Sequence, residues 1–206
     1  MKFCSAPLTK ACLSSAEPIF IGNKTIEKVS EEELARLKSR LTTGVGKDFV
    51  SNASEALRGS PDAVDEVVLW CSEPPPLSRK AAWLLHNVAL VEPGAILRRE
   101  AELVRIFDDS EDPSIHREIF RCLLAVPHSS EIAAYLLELA LLIPHDPSQP
   151  IAMRHLALRV LDHHVERIFQ EGLTPSDSLL QALDVLRQDA SHVCRNHAKR
   201  LLEKLG

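Results

Sequence analysis

The segment Leu103-Val104-Arg105-Ile106-Phe107-Asp108-Asp109-Ser110-Glu111-Asp112-Pro113-Ser114-Ile115-His116-Arg117 reads as the end of one helix, an acidic turn and the start of a second helix. Apolar residues recur at helical spacing up to Phe107. Aspartates, a serine and a proline then interrupt them, and proline at the first turn suits a restarting helix. The arginine closing this segment recurs. Arg79, Arg117, Arg154 and Arg195 lie 38, 37 and 41 residues apart, each near the start of an apolar helical pattern. Three residues beyond each stands Ala82, Phe120, Ala157 or Ala198, and six beyond stands Leu85, Leu123, Val160 or Leu201. A period near 40 residues marks stacked helical repeats.

Working outward, the breaks fall where such repeats need them. Ser30 followed by Glu33 is a capping box opening a helix that ends before Gly44. A second helix runs from about Asp48 to Arg58. Ser60–Pro61 starts a third, which Pro74-Pro75-Pro76 ends. Ser78 is read as the cap of the helix carrying Arg79, and Glu92-Pro93-Gly94 as its break. Pro127, Pro144, Pro150, Gly172 and Pro175 divide the remainder. These signals predict an all-α chain of roughly ten helices in five antiparallel pairs. A pair cannot bury its apolar stripe alone, so each leans on the next, giving a curved right-handed α-solenoid. Residues 30–206 form the repeat domain. Residues 1–29, with Pro7, Pro18 and Gly22, read as an N-terminal arm, packed through Ile19-Phe20-Ile21 or flexible.

Of the 206 residues, 45% are hydrophobic, 26% charged and 4% aromatic, with 7 glycines, a balance that favours helices in a globular protein. The formal net charge of −5 is uneven: residues 92–146 carry eleven acids against five bases, and residues 151–206 eight bases against seven acids. The acidic centre disfavours phosphate backbones. Cys4, Cys12, Cys71, Cys122 and Cys194 form no CxxC pair and suit a reducing cytoplasm. No apolar run has the length of a membrane span. Pro7, Glu17 and Pro18 interrupt any signal-peptide core.

The Leu103–Arg117 segment resembles the signature of HEAT-like repeats: an apolar helix, an Asp/Pro turn, then an aliphatic residue and arginine opening the second helix. His116 intervenes here between Ile115 and Arg117. Residues 78–205 resemble small bacterial HEAT-like proteins through Arg79-Lys-Ala-Ala-Trp83-Leu, Ala152-Met153 and Arg195-Asn-His-Ala198-Lys-Arg200-Leu201-Leu. Members of that group are often labelled adenylosuccinate lyase. The lyase's Ser-Ser-x-Met-Pro-x-Lys-x-Asn loop is missing, since neither Ser14-Ser15 nor Ser129-Ser130 is followed by Met-Pro-x-Lys. The resemblance implies that the arginines at position zero of each second helix, Arg79, Arg117, Arg154 and Arg195, pair with acidic turn residues such as Asp108, Asp109 and Asp112. It also implies that the second helices line a concave face.

Counted from those arginines, positions +3, +6 and +10 form the core stripe, widened by +2 and +7. Positions +1, +4, +5 and +8 lie opposite. That opposite face carries Arg121, Arg159 and Arg200 as a broken basic row, with Lys199 beside it and Trp83 as an anchor. Arg and Trp are favoured at interfaces. The Asp162-His163-His164 cluster lacks the i,i+4 spacing of a zinc helix, and no Gly-rich phosphate loop follows a strand, so no metal, cofactor or catalytic residue is expected. Cys194 and His197 share a helix face, but a packed thiol is the plainer reading. The sequence thus points to a non-enzymatic cytoplasmic scaffold binding another protein through its concave face. The alternative is a nucleic-acid binder of the HEAT-like DNA glycosylase kind, using Arg159, Arg187, Arg195, Lys199, Arg200 and Lys204.

Overall fold

The computed structural model describes residues 29–206, all helical or irregular. The reading of the N-terminal arm, apart from Val29, and of Cys4 and Cys12 lies outside the described residues. Eleven α-helices follow in order: α1 Glu31–Thr43, α2 Lys47–Ala56, α3 Pro61–Trp70, α4 Leu77–Val91, α5 Pro93–Leu97, α6 Glu100–Asp109, α7 Pro113–Leu124, α8 Ser130–Leu142, α9 Ile151–Glu171, α10 Asp177–Arg187 and α11 His192–Leu205. A 3-10 turn, Ile143–His145, sits between α8 and α9.

Local chemistry accounts for most of these boundaries. At α1 the capping box is complete: the Glu33 amide donates to Ser30 Oγ at 3.3 Å, and the Ser30 amide donates to Glu33 Oε2 at 2.9 Å. Asp112 caps α7 by accepting from the Ser114 amide at 2.8 Å, ahead of Pro113 at the first helical position. Ser129, Ser176 and Ser191 cap α8, α10 and α11 in the same way. Gly172 ends α9 at φ +64°, a left-handed conformation that glycine adopts without strain.

Two expected caps differ. Ser60 precedes α3 but its hydroxyl accepts from the Val29 amide, across the chain, at 3.3 Å. Ser78 lies inside the first turn of α4, which begins at Leu77. Its hydroxyl is buried, not capping. The Pro93–Gly94 break also proves to be the start of the short helix α5. Proline fits the first turn of a helix as well as it ends the previous one.

Packing is serial. α4 lies against α2 and α7, α7 against α4 and α9, and α9 against α7 and α11. Each of α4, α7, α9 and α11 also packs on the helix or helices before it: α3 on α4, α6 on α7, α8 on α9 and α10 on α11. α1 and α2 each contact α4 more extensively than they contact one another. The core lies along this row. The +3 residues Ala82, Phe120, Ala157 and Ala198 are buried, as are the +6 residues Leu85, Leu123, Val160 and Leu201. Alanine at +3 lets neighbouring helices approach closely, whereas at α7 the larger Phe120 is fully buried, its ring 6.0 Å from that of Phe107.

The four recurring arginines occupy different settings. Arg79 Nε donates to Asp112 Oδ2 at 2.5 Å, reaching into the turn before the next long helix of the row. Arg154 Nε lies 2.6 Å from Asp189 Oδ2, again in the following turn, with both side chains largely buried. Arg195 Nη1 donates to the carbonyls of Asp189 and Ala190 in its own turn. Arg117 meets no turn acid; its Nε donates to the adjacent Glu118 at 2.9 Å.

A cationic cleft between α4 and α7

The face opposite the core stripe is narrower than its spacing suggests. The +5 residues Leu84 and Cys122 and the +4 residue Leu158 are buried, because α4, α7 and α9 each sit between two neighbours of the row. Cys122 Sγ donates to the Leu85 carbonyl at 3.6 Å. Glu118, at +1 of α7, belongs to the interior as well, only 4% exposed. What remains open is a cleft of about 540 Å³ along α4 and α7, lined chiefly by Arg79, Lys80, Trp83, Arg117, Glu118 and Arg121.

Glu118 organises this cleft from below. Its Oε1 accepts from Arg117 Nε at 2.9 Å and its Oε2 from Arg121 Nη1 at 3.0 Å. Both arginines stay part exposed, with one nitrogen of each anchored and the other guanidinium nitrogens without a protein hydrogen bond among the described residues. Arg79 is held in the same manner by Asp112. Partial burial pushes the Asp112 carboxyl up, but hydrogen bonds from Arg79 and Ser114 outweigh it and hold the group below its ordinary value. Lys80 Nζ stands 5.0 Å from the Trp83 ring centroid, a cation–π distance, and the Trp83 carbonyl accepts from Asn87 Nδ2 at 2.8 Å.

Behind the carboxylate lies His86, at +7 of α4. It is buried, and its Nδ1 has no hydrogen-bond partner and sits 3.9 Å from Glu118 Oε2. Burial is the main reason its imidazole is held below its ordinary value. The positive fields of Arg121 and Arg159 add to that, against the opposing pull of Glu118. His155 and His164 are lowered too, first by burial and then by neighbouring charges.

Unfolding raises all three to ordinary histidine values near 6.5, so below that pH the unfolded chain binds protons the folded chain refuses. Stability is therefore full above about pH 6.5 and is lost as pH falls toward the folded values. Melting temperatures between pH 7.5 and 5.5 should fall, and His86→Gln should shrink the fall. An identical profile for that variant would remove His86 from the account.

No protein-family model, curated protein or solved structure matches the chain.

The cleft joins some of the residues singled out from sequence and leaves others apart. Trp83 and Arg121 line it together. Arg159 is on α9, exposed, and near enough to act on His86. Lys199 and Arg200 are exposed on α11, which packs chiefly on α9 and α10. Among the described residues Arg159, Lys199 and Arg200 form no ion pair, whereas Arg187 pairs with Asp184, Lys204 with Glu166, and Arg195 with turn carbonyls. Arg79 and Arg117, read from sequence as structural arginines, line the cleft as well.

From sequence Glu118 reads as one more position of the exposed face, and His86 is not singled out. A charged +1 and an imidazole at +7, 32 residues apart, become neighbours only through the α4–α7 contact. The available signal was that His86 breaks an otherwise apolar +7 column of Leu124, Leu161 and Leu202. The thiols of Cys71, Cys122 and Cys194 are buried and pushed up by that burial, away from the thiolate a nucleophile needs. Among the described residues no helix is long and apolar enough to cross a membrane.

Proposed function

We propose that the chain is a non-catalytic scaffold that binds another protein through the face bearing Trp83, Arg121, Arg159, Lys199 and Arg200. The fold under this reading is a HEAT-like right-handed α-solenoid of about five helix pairs, akin to small bacterial HEAT-like proteins. Serial packing of α2, α4, α7, α9 and α11, each long helix leaning on its neighbours, supports that architecture. So do arginines that reach from one helix to the acid of the next turn at Arg79–Asp112 and Arg154–Asp189.

The observation that carries the functional reading is the α4–α7 cleft. An indole and an arginine, the side chains most often dominant in protein interfaces, share one open site, and the arginine is fixed there by a buried carboxylate. Fixing it in advance reduces the entropy lost when a partner orders it. The free, buried thiols of Cys71, Cys122 and Cys194 support a reducing, cytoplasmic setting. The test is affinity capture from native lysate with Trp83→Ala/Arg121→Glu. Partners held by the wild-type chain should be lost with this variant, and retention of every partner would remove the proposed surface.

A further inference from the structure

The partner's chemistry follows from how the cleft is charged. Four cations face or flank it, Arg79, Lys80, Arg117 and Arg121, against two acids, Asp112 and Glu118, a formal surplus of two positive charges. Both acids are already used as anchors from the protein side. Asp112 takes the Arg79 Nε, and the two oxygens of Glu118 take Arg117 Nε and Arg121 Nη1. The remaining nitrogens of the three part-exposed guanidiniums therefore have donors to offer, in forks matched to carboxylate geometry. Beyond the Arg79–Asp112 pair the surface changes sign, because the neighbouring hollow is lined by Glu73, Asp109, Glu111 and Asp112 against the one cation Arg105. An anionic segment is drawn to one side of that boundary and repelled from the other, which fixes its position along α4.

Resting on the scaffold reading above, we infer that the α4–α7 cleft receives an acidic segment of the partner protein, two neighbouring carboxylates bound by the Arg79, Arg117 and Arg121 guanidiniums beside Lys80 and Trp83. Two carboxylates neutralise the surplus of the cleft. Anchoring by Glu118 and Asp112 makes the site a preset cradle and not a diffuse positive field, so its affinity depends on those anchors as well as on net charge.

The experiment is fluorescence anisotropy of a labelled Asp/Glu-rich dodecapeptide titrated with the full chain at low salt. A Lys-rich dodecapeptide, inorganic phosphate and a 12-nucleotide DNA strand serve as the other probes. The acidic peptide should bind saturably and the Lys-rich one should not. Arg79→Gln/Lys80→Gln, which leaves the Glu118 anchor untouched, should weaken it about tenfold or more, the effect of losing charged hydrogen bonds. Glu118→Gln should also weaken it, although it raises the net positive charge. Tighter binding by that variant would show a mere field and overturn the cradle. Displacement by millimolar phosphate, or stronger binding of the DNA strand, would assign the cleft to phosphate and overturn the proposal. If no acidic peptide binds while Trp83→Ala/Arg121→Glu still strips partners in the capture experiment, this inference fails and the scaffold reading stands. If the capture also shows no loss, both fail.

Discussion

Phe120→Ala should destabilise the fold by roughly 3–5 kcal/mol, enough to threaten a domain of ordinary stability. Phe120 is the largest of the fully buried side chains among the described residues and sits where alanine stands at the three other +3 positions. It fills the space between α7 and its neighbours and meets the Phe107 ring at a tilt of 39°. Its removal costs both the transfer of an aromatic side chain and the cavity left behind, because helices held on two sides cannot close over the gap. Urea unfolding followed by circular dichroism would measure it. A loss below about 1 kcal/mol would mean that α7 is not the packed centre of the row.

Asp189→Ala should cost about 3 kcal/mol, the low end of breaking a buried ion pair. The carboxylate is 7% exposed and its partner Arg154 13%. Without Asp189 the guanidinium keeps one hydrogen bond, from Nη1 to the Gln149 carbonyl at 2.7 Å, but Nε faces no acid. The same substitution removes the acceptor of the Ser191 amide at 2.7 Å, next to the α11 cap. Arg79→Ala is the control. Its pair with Asp112 is half exposed on the arginine side, so the loss should stay near or below about 1 kcal/mol. Equal losses for the two variants would mean that the recurring arginines contribute through something other than burial.

That contrast shows what the sequence could and could not convey. The breaks were legible because their chemistry is local: Ser30 with Glu33, Asp112 with Pro113 and Gly172 each act on the few residues beside them. The inward stripe was legible for the same reason, since +3 and +6 follow from helical geometry alone. The width of the buried arc was not. Leu84, Cys122 and Leu158 are interior because α4, α7 and α9 have neighbours on both sides, a property of the assembly and not of any one helix. Ser78 resembled a cap in sequence because serine before an apolar run usually is one. Here the helix starts two residues earlier than a Ser78 cap would give, at Leu77, and buries the hydroxyl.

The candidate site was legible in its outward members only. Trp83 and Arg121 emerged from the repeat register, and they line one cleft. Glu118, at an exposed position by its spacing, is buried, and Arg117, read as a structural arginine, lines the cleft as well. A single carboxylate that is buried, yet tethers two exposed arginines, belongs to both categories.

The most direct test of the cleft as a partner surface is quantitative affinity capture with three chains in parallel. These are the wild type, Trp83→Ala/Arg121→Glu, and Leu69→Ala/Leu90→Ala, which alters exposed apolar residues outside the cleft. Circular dichroism first confirms that all three are folded. The cleft variant should lose the proteins that the wild type and the Leu69/Leu90 variant both retain. Recovery of the same proteins by all three chains would contradict a partner surface between α4 and α7.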